Sequence, residues 1–119
     1  MYDLTYRKAM SCDAARDMLA VAEDGKLLAG GMTLIPTLKQ RLAAPDMLVD
    51  LGGIDDFTTI TVIDNNLQIG AMASHSIVSR HELVCAYLPG LADLAGQIGD
   101  PHVRNRGTIG GSVANNDPA

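Results

Sequence analysis

Residues 26–53 read KLLAGGMTLIPTLKQRLAAPDMLVDLGG, and the order of elements in this stretch decides the fold. Lys26–Ala29 is a short apolar strand that runs straight into Gly30-Gly31. A helix follows. Thr33 can cap it, Pro36 falls in its first turn where a missing N–H costs little, and Ile35, Leu38 and Leu42 line one face. Ala43-Ala44-Pro45 ends that helix, and Asp46–Leu51 is a buried strand stopped by Gly52-Gly53. Upstream, residues 2–7 alternate weakly as an opening strand. Ala15, Met18, Leu19 and Ala22 then share one helical face, with Ser11 or Asp13 as cap and Asp24-Gly25 as stop. The first half is therefore strand–helix–strand–helix–strand, a layer of parallel strands with right-handed crossovers.

Downstream the period changes. Thr58–Ile63 and Leu67–Ala71 alternate apolar with polar residues around Asp64-Asn65-Asn66, which is hairpin chemistry. Ser79-x-x-Glu82 has the form of a capping box opening a short helix over Leu83–Tyr87. Pro89 starts another helix with Leu91, Leu94, Ala95 and Ile98 on one face and Gly99 at its end. Residues 100–119 show no amphipathic element. The run Ser112–Ala119 reads as the middle of something, so the chain is expected to be part of a larger protein.

The 119 residues carry 14 acidic against 9 basic side chains, a net charge of −5, which argues against nucleic acid or an anionic membrane as the main partner. No apolar run approaches the ~18 residues that span a bilayer. Two cysteines, Cys12 and Cys85, supply neither a disulfide scaffold nor the four ligands of a 2Fe–2S cluster. A reducing, cytoplasmic setting fits that usage. Glycine is the unusual residue: there are 12, and six of them form the pairs 30–31, 52–53 and 110–111.

Two of these pairs sit where chemistry is possible. Ala29 to Leu34 feeds a strand through two glycines into a hydroxyl residue at a helix start, which suits either a phosphate cradle or a tight turn with an N-cap. Arg104 to Ser112 carries a local charge of +2, with Thr108, Ser112 and the Gly110-Gly111 amides as further donors, which suits either a bound anion or a solvated loop. His81 and Cys85 are four apart on the expected helix, yet no second close pair completes a metal site, and a core cysteine beside a surface histidine is the simpler reading. His75 can contact a ligand or cap a turn. No Ser/His/Asp or paired-carboxylate set emerges from spacing, so the chemistry is expected to come from a bound cofactor.

Taken together, three stretches give the chain a resemblance to the FAD-binding medium subunit of the molybdenum hydroxylases, the carbon monoxide dehydrogenase and xanthine dehydrogenase type. AGGMTLIPTLKQRLAAPDMLVDLGGI (29–54) resembles the first flavin loop, IGAMASHSIVS (69–79) the Ile-Gly-Ala segment, and VRNRGTIGGSVANNDPA (103–119) the second flavin loop. Met32 stands where the family commonly has a polar residue, Ser74 where threonine is usual, and His102 in place of a glutamine-like residue.

The resemblance implies an α+β fold, a PCMH-type FAD-binding domain. Residues 1–54 would form its βαβαβ first subdomain and 55–119 the start of its second, with family members continuing beyond. It implies that Ala29, Gly30, Gly31, Met32, Thr33 and Leu34 wrap the FAD pyrophosphate. Thr108, Ile109, Gly110, Gly111 and Ser112 would hold it from the other side, with Asp117 near the ribityl or phosphate region. Gly70, Ala71, Ser74 and His75 would line the same pocket. Main-chain donors of the two glycine bends would thus converge on the cofactor, with no side chain acting as acid, base or nucleophile and no metal on this chain. The molybdenum cofactor is expected on a large partner subunit and 2Fe–2S clusters on a small one. Electrons would pass through this FAD to an external acceptor. The rival readings are the FAD domain of a stand-alone PCMH oxidase and a truncated interaction module without flavin.

Overall fold

The computed structural model describes residues 1–117, so Pro118 and Ala119, the end of the third matching stretch, lie outside it. The chain divides into two compact units, Met1–Asp55 and Asp56–Ala119.

The first unit is built on three parallel strands: β1 (Thr5–Lys8), β2 (Gly25–Leu28) and β3 (Met47–Asp50), in the order β1-β3-β2. Tyr6 and Lys26 both pair with Leu48. The central strand is the apolar one, and its Leu48 and Val49 are buried. Helix α1 (Cys12–Val21) crosses from β1 to β2. Ser11 caps it through Oγ, which accepts from Ala14 N at 3.0 Å, and Ala15 is its buried contact. The Asp46 carboxylate accepts from the amides of Glu23 and Asp24 just before β2, which holds its pKa below the usual value.

Helix α2 (Leu34–Lys39) connects β2 to β3 and departs from expectation at both ends. Thr33 does not cap it with its side chain. The reason is that the two amides a cap would serve are not on offer: Ile35 N already donates to Gly31 O at 2.9 Å, and Pro36 has no N–H. At the other end the helix stops before Ala43-Ala44-Pro45. Arg41 takes φ +57°, Arg41 N donates to Leu38 O and Leu42 N to Thr37 O, the paired bonds of a Schellman stop. Leu42 consequently leaves the apolar face and is 74% exposed.

In the second unit, β4 (Ile60–Ile63) and β5 (Asn66–Ile69) form an antiparallel hairpin. Asp64 and Asn65 alone make the turn, both at positive φ, while Asn66 pairs with Ile63. Among the described residues, five short helices follow: α3 (His75–Arg80), α4 (Glu82–Tyr87), α5 (Pro89–Gly96), α6 (Pro101–Arg106) and α7 (Ile109–Ala114). The core joins Ile60 of the hairpin to Ala73, Val78, Val84, Ala92 and Ala95.

Three expectations fail here. Helix α3 replaces the proposed capping box: Ser79 lies inside it, with Oγ donating to Ser76 O, and α4 is capped instead by His81 Nδ1 accepting from Leu83 N at 3.1 Å. Helix α5 turns Ala92 and Ala95 inward and leaves Leu94 52% exposed, because small residues let it approach α3 closely where Gly96 meets Ser79. Residues 100–114 hold two helices, each opened by a cap. Asp100 accepts from Val103 N ahead of Pro101, and Thr108 accepts from Gly111 N.

Candidate functional site

Ala29 to Thr33 form the turn between β2 and α2, and Leu34 opens the helix. Gly31 sits at φ +76°, a left-handed conformation that glycine adopts without cost. A Cβ there would lie 2.9 Å from Ile35 Cγ1 and 3.3 Å from Leu28 Cδ1. The turn leaves its donors unused. Among the described residues, none of the amides of Gly30, Gly31, Met32, Thr33 and Leu34 has an acceptor, and the Thr33 hydroxyl has none either. Met32 and Thr33 are exposed and the four others from Ala29 to Leu34 are half-buried.

In the second unit the structure brings together all ten of the other expected residues. The segment after β5 runs antiparallel to the start of α7. His75 N donates to Gly107 O, Ile109 N to Ala73 O at 3.0 Å, and Gly110 N to Ala71 O at 2.8 Å, with Ser74 and Thr108 opposite one another. Asp117 N donates to Ser112 O, and its carboxylate accepts from Asn115 Nδ2.

This seam uses up the donors expected to face a ligand. Gly110 N is taken by Ala71 O and Gly111 N by Thr108 Oγ1, so neither glycine amide is spare. Gly110 is small because a Cβ would meet Ala71 O at 2.6 Å, and Gly70 because a Cβ would meet Phe57 O at 2.1 Å. Both glycines therefore have packing reasons. What the segment still offers is hydroxyl chemistry. Thr108 is buried and accepts from Gly111 N, and Ser112 Oγ lies 3.0 Å from His75 Nε2.

The sequence did not foresee the pairing of His75 with Ser112, since 37 residues separate them; a Ser-His start to one helix and a Thr-x-x-x-Ser start to another carry no spacing signal. His75 is 4% exposed, and burial pushes its pKa down, partly offset by the nearby Asp117 carboxylate. The three residues do not form a hydrolytic relay. Such a relay needs a carboxylate on the second ring nitrogen, and among the described residues none bonds there, Asp117 being held by Asn115.

The low pKa has a consequence for stability. The folded state favours the neutral ring, so its contribution is complete above the ordinary 6.5 and is lost as pH falls below that toward the folded value. The melting temperature is expected to drop on acidification below 6.5, and less so in His75→Gln. An identical pH profile for the variant assigns the effect to another group.

The remaining candidates resolve simply. Arg104 Nη1 donates to Ile98 O and Gly99 O, tying the α5–α6 loop, so half of the local +2 is engaged within the protein. Cys85 is exposed rather than in the core, with Sγ 3.6 Å from Ser79 O; His81 Nδ1 serves as the cap of α4, and among the described residues no cluster of three metal-ligating side chains includes this pair.

Residues 2–119 match the family model described as the FAD binding domain in molybdopterin dehydrogenase. The chain belongs to this family. It is 35% identical over 98% of its length to the nicotine 6-hydroxylase medium subunit of Paenarthrobacter nicotinovorans, covering 41% of that protein. It is 39% identical over 95% of its length to the carbon monoxide dehydrogenase medium chain of Afipia carboxidovorans, covering 39% of it. Among solved structures, reconstituted CO dehydrogenase from Oligotropha carboxidovorans superposes with a TM-score of 0.93 at 38% identity, over 98% of this chain and 41% of that one. This FAD-binding domain chain thus spans about two fifths of the length of the relatives it matches, and the α+β architecture is the one they share. Among the described residues no helix is long and apolar enough to cross a membrane.

Proposed function

We propose that this chain is the N-terminal part of the FAD-binding, electron-transferring subunit of a molybdenum-dependent hydroxylase or dehydrogenase. The observation that carries the reading is the run of five acceptor-free amides from Gly30 to Leu34, in a chain whose family is defined by FAD binding. A pyrophosphate accepts and does not donate, and residues 29–34 contain donors and no carboxylate, so the donor set fits the group.

The assignment of roles differs between the two glycine segments. Gly30, Gly31, Met32, Thr33 and Leu34 would give main-chain N–H bonds to the pyrophosphate, with the Thr33 hydroxyl beside them. Thr108 and Ser112 would contribute hydroxyls. Ile109, Gly110, Gly111, Gly70, Ala71, Ser74 and His75 would shape and hold that second segment. Asp117, an acceptor, suits the ribityl hydroxyls rather than phosphate. The bound flavin supplies the redox chemistry; the residues of this chain bind and orient it. The enzyme is an oxidoreductase in this reading, assembled in the cytoplasm with a molybdenum-cofactor large subunit and an iron–sulfur small subunit. An external acceptor takes the electrons.

The full-length protein is expected to purify yellow, or to gain stability when FAD is added. At free FAD of about one hundred times Kd the gain is ~2.7 kcal/mol, a shift in melting temperature of several degrees. Colourless protein with an unmoved melting curve points to the non-flavin module instead. Rapid reoxidation of the reduced flavin by oxygen, without co-purifying subunits, points to a stand-alone oxidase.

A further inference from the structure

One side-chain pair crosses the seam between residues 71–75 and 107–112: His75 Nε2 and Ser112 Oγ, 3.0 Å apart. The ring has little freedom. It is almost fully buried, and it packs so closely on Gly107 that a Cβ there would come within 3.0 Å of Cδ2. Burial keeps it neutral near pH 7, and a neutral imidazole has one donor nitrogen and one acceptor nitrogen. The tautomer therefore decides what Ser112 can do. If Nε2 accepts, the serine proton is consumed inside the protein; if Nε2–H donates, that proton remains available.

Thr108 already has the second arrangement. Its Oγ1 accepts from Gly111 N at 3.0 Å, which leaves its own proton uncommitted by that bond. We propose that His75 is a positioning residue with the same logic: as the Nε2–H tautomer it donates to Ser112 Oγ and reserves the Ser112 proton for an anionic oxygen of the cofactor. This rests on the flavin reading above and deepens it, since His75 then acts through Ser112 and not by touching FAD. Two hydroxyls, each accepting from within and donating outward, give the α7 segment the anion donors that its glycine amides do not supply.

The test is FAD affinity in the full-length protein carrying Ser112→Ala, His75→Leu, His75→Gln and the Ser112→Ala/His75→Leu pair. Ser112→Ala and His75→Leu are each expected to weaken FAD about tenfold, the scale of one charge-assisted hydrogen bond. The double variant should be no weaker than either single one. His75→Gln should restore affinity, because its amide N–H reaches the position of Nε2–H. Long-range 15N–1H spectra of the flavin-free protein should show His75 protonated on Nε2, with a signature that Ser112→Ala displaces.

Losses that multiply to about a hundredfold in the double variant overturn the proposal, as does an Nδ1–H ring. A His75→Leu protein that melts lower yet binds FAD as tightly as wild type overturns it too. Wild-type protein that takes up no FAD overturns the flavin reading and this proposal with it; multiplying losses in a wild type that does bind overturn this proposal alone.

Discussion

A Gly70→Ala variant is expected to fail to fold its second unit. The added Cβ would stand 2.1 Å from Phe57 O and 2.4 Å from Phe57 C, both main-chain atoms. Neither can retreat cheaply, because Phe57 O is the acceptor for Met72 N at 2.8 Å and Gly70 N is itself bonded to Thr59 O at 2.8 Å. Any relief therefore breaks the connection between the hairpin and α3. The cost belongs with the largest single-residue effects, ~4 kcal/mol or more. Soluble yield and the circular-dichroism melt of the full-length protein measure it, and a melting temperature near wild type refutes the close packing. Gly110→Ala acts in the same direction, its Cβ meeting Ala71 O at 2.6 Å. Loss of flavin from a Gly110 variant accordingly reports on folding and gives no information about a cradle.

Gly31→Ala is expected to separate binding from folding. The turn must leave φ +76°, which costs a residue with a Cβ ~1–2 kcal/mol, and the nearest clash, at 2.9 Å, is with Ile35 Cγ1, a side-chain rather than a main-chain atom. Apo stability should fall only by about that amount. FAD affinity should fall about a hundredfold, as two charge-assisted hydrogen bonds worth ~1.5 kcal/mol each are lost when the amides of residues 30–34 are redirected. Titration of FAD into folded variant protein, followed by flavin fluorescence, reads this directly. Unchanged affinity removes the Gly30–Leu34 turn from the site.

These two glycines look alike in the sequence, one each in AGGM and IGAM, and the structure gives them opposite roles. Glycine marks a place where a Cβ is not tolerated, and the cause is either the residue's own dihedral or whatever lies against it. Gly31 carries the first cause in its φ, which a strand followed by two glycines already suggests. Gly70 carries the second, and its neighbour Phe57 reaches it only when the hairpin closes.

The alternating and helical periods of residues 2–51 were enough to establish the βαβαβ order of the first unit. That the strands run parallel follows from them, because every crossover contains a helix, whereas the place of β3 between β1 and β2 came from the fold. Periodicity failed over residues 75–80 and 101–114, where each helix has six residues or fewer and too few turns to repeat an apolar face. Those helices are specified at their starts instead, by Ser74, Asp100 and Thr108 as caps.

The sequence by itself determined the βαβαβ order of the first unit and the family, because local periodicity and glycine-bearing motifs are written in consecutive residues. Which donors are free was decided only by tertiary structure. The amides of Gly110 and Gly111 and those of Gly30 and Gly31 are the same chemical groups, but the first pair meets Ala71 O and Thr108 Oγ1 while among the described residues the second meets no acceptor. The pairing of His75 with Ser112 was likewise invisible until the chain folded, since a hydrogen bond between residues 37 positions apart depends on where two helices begin in space.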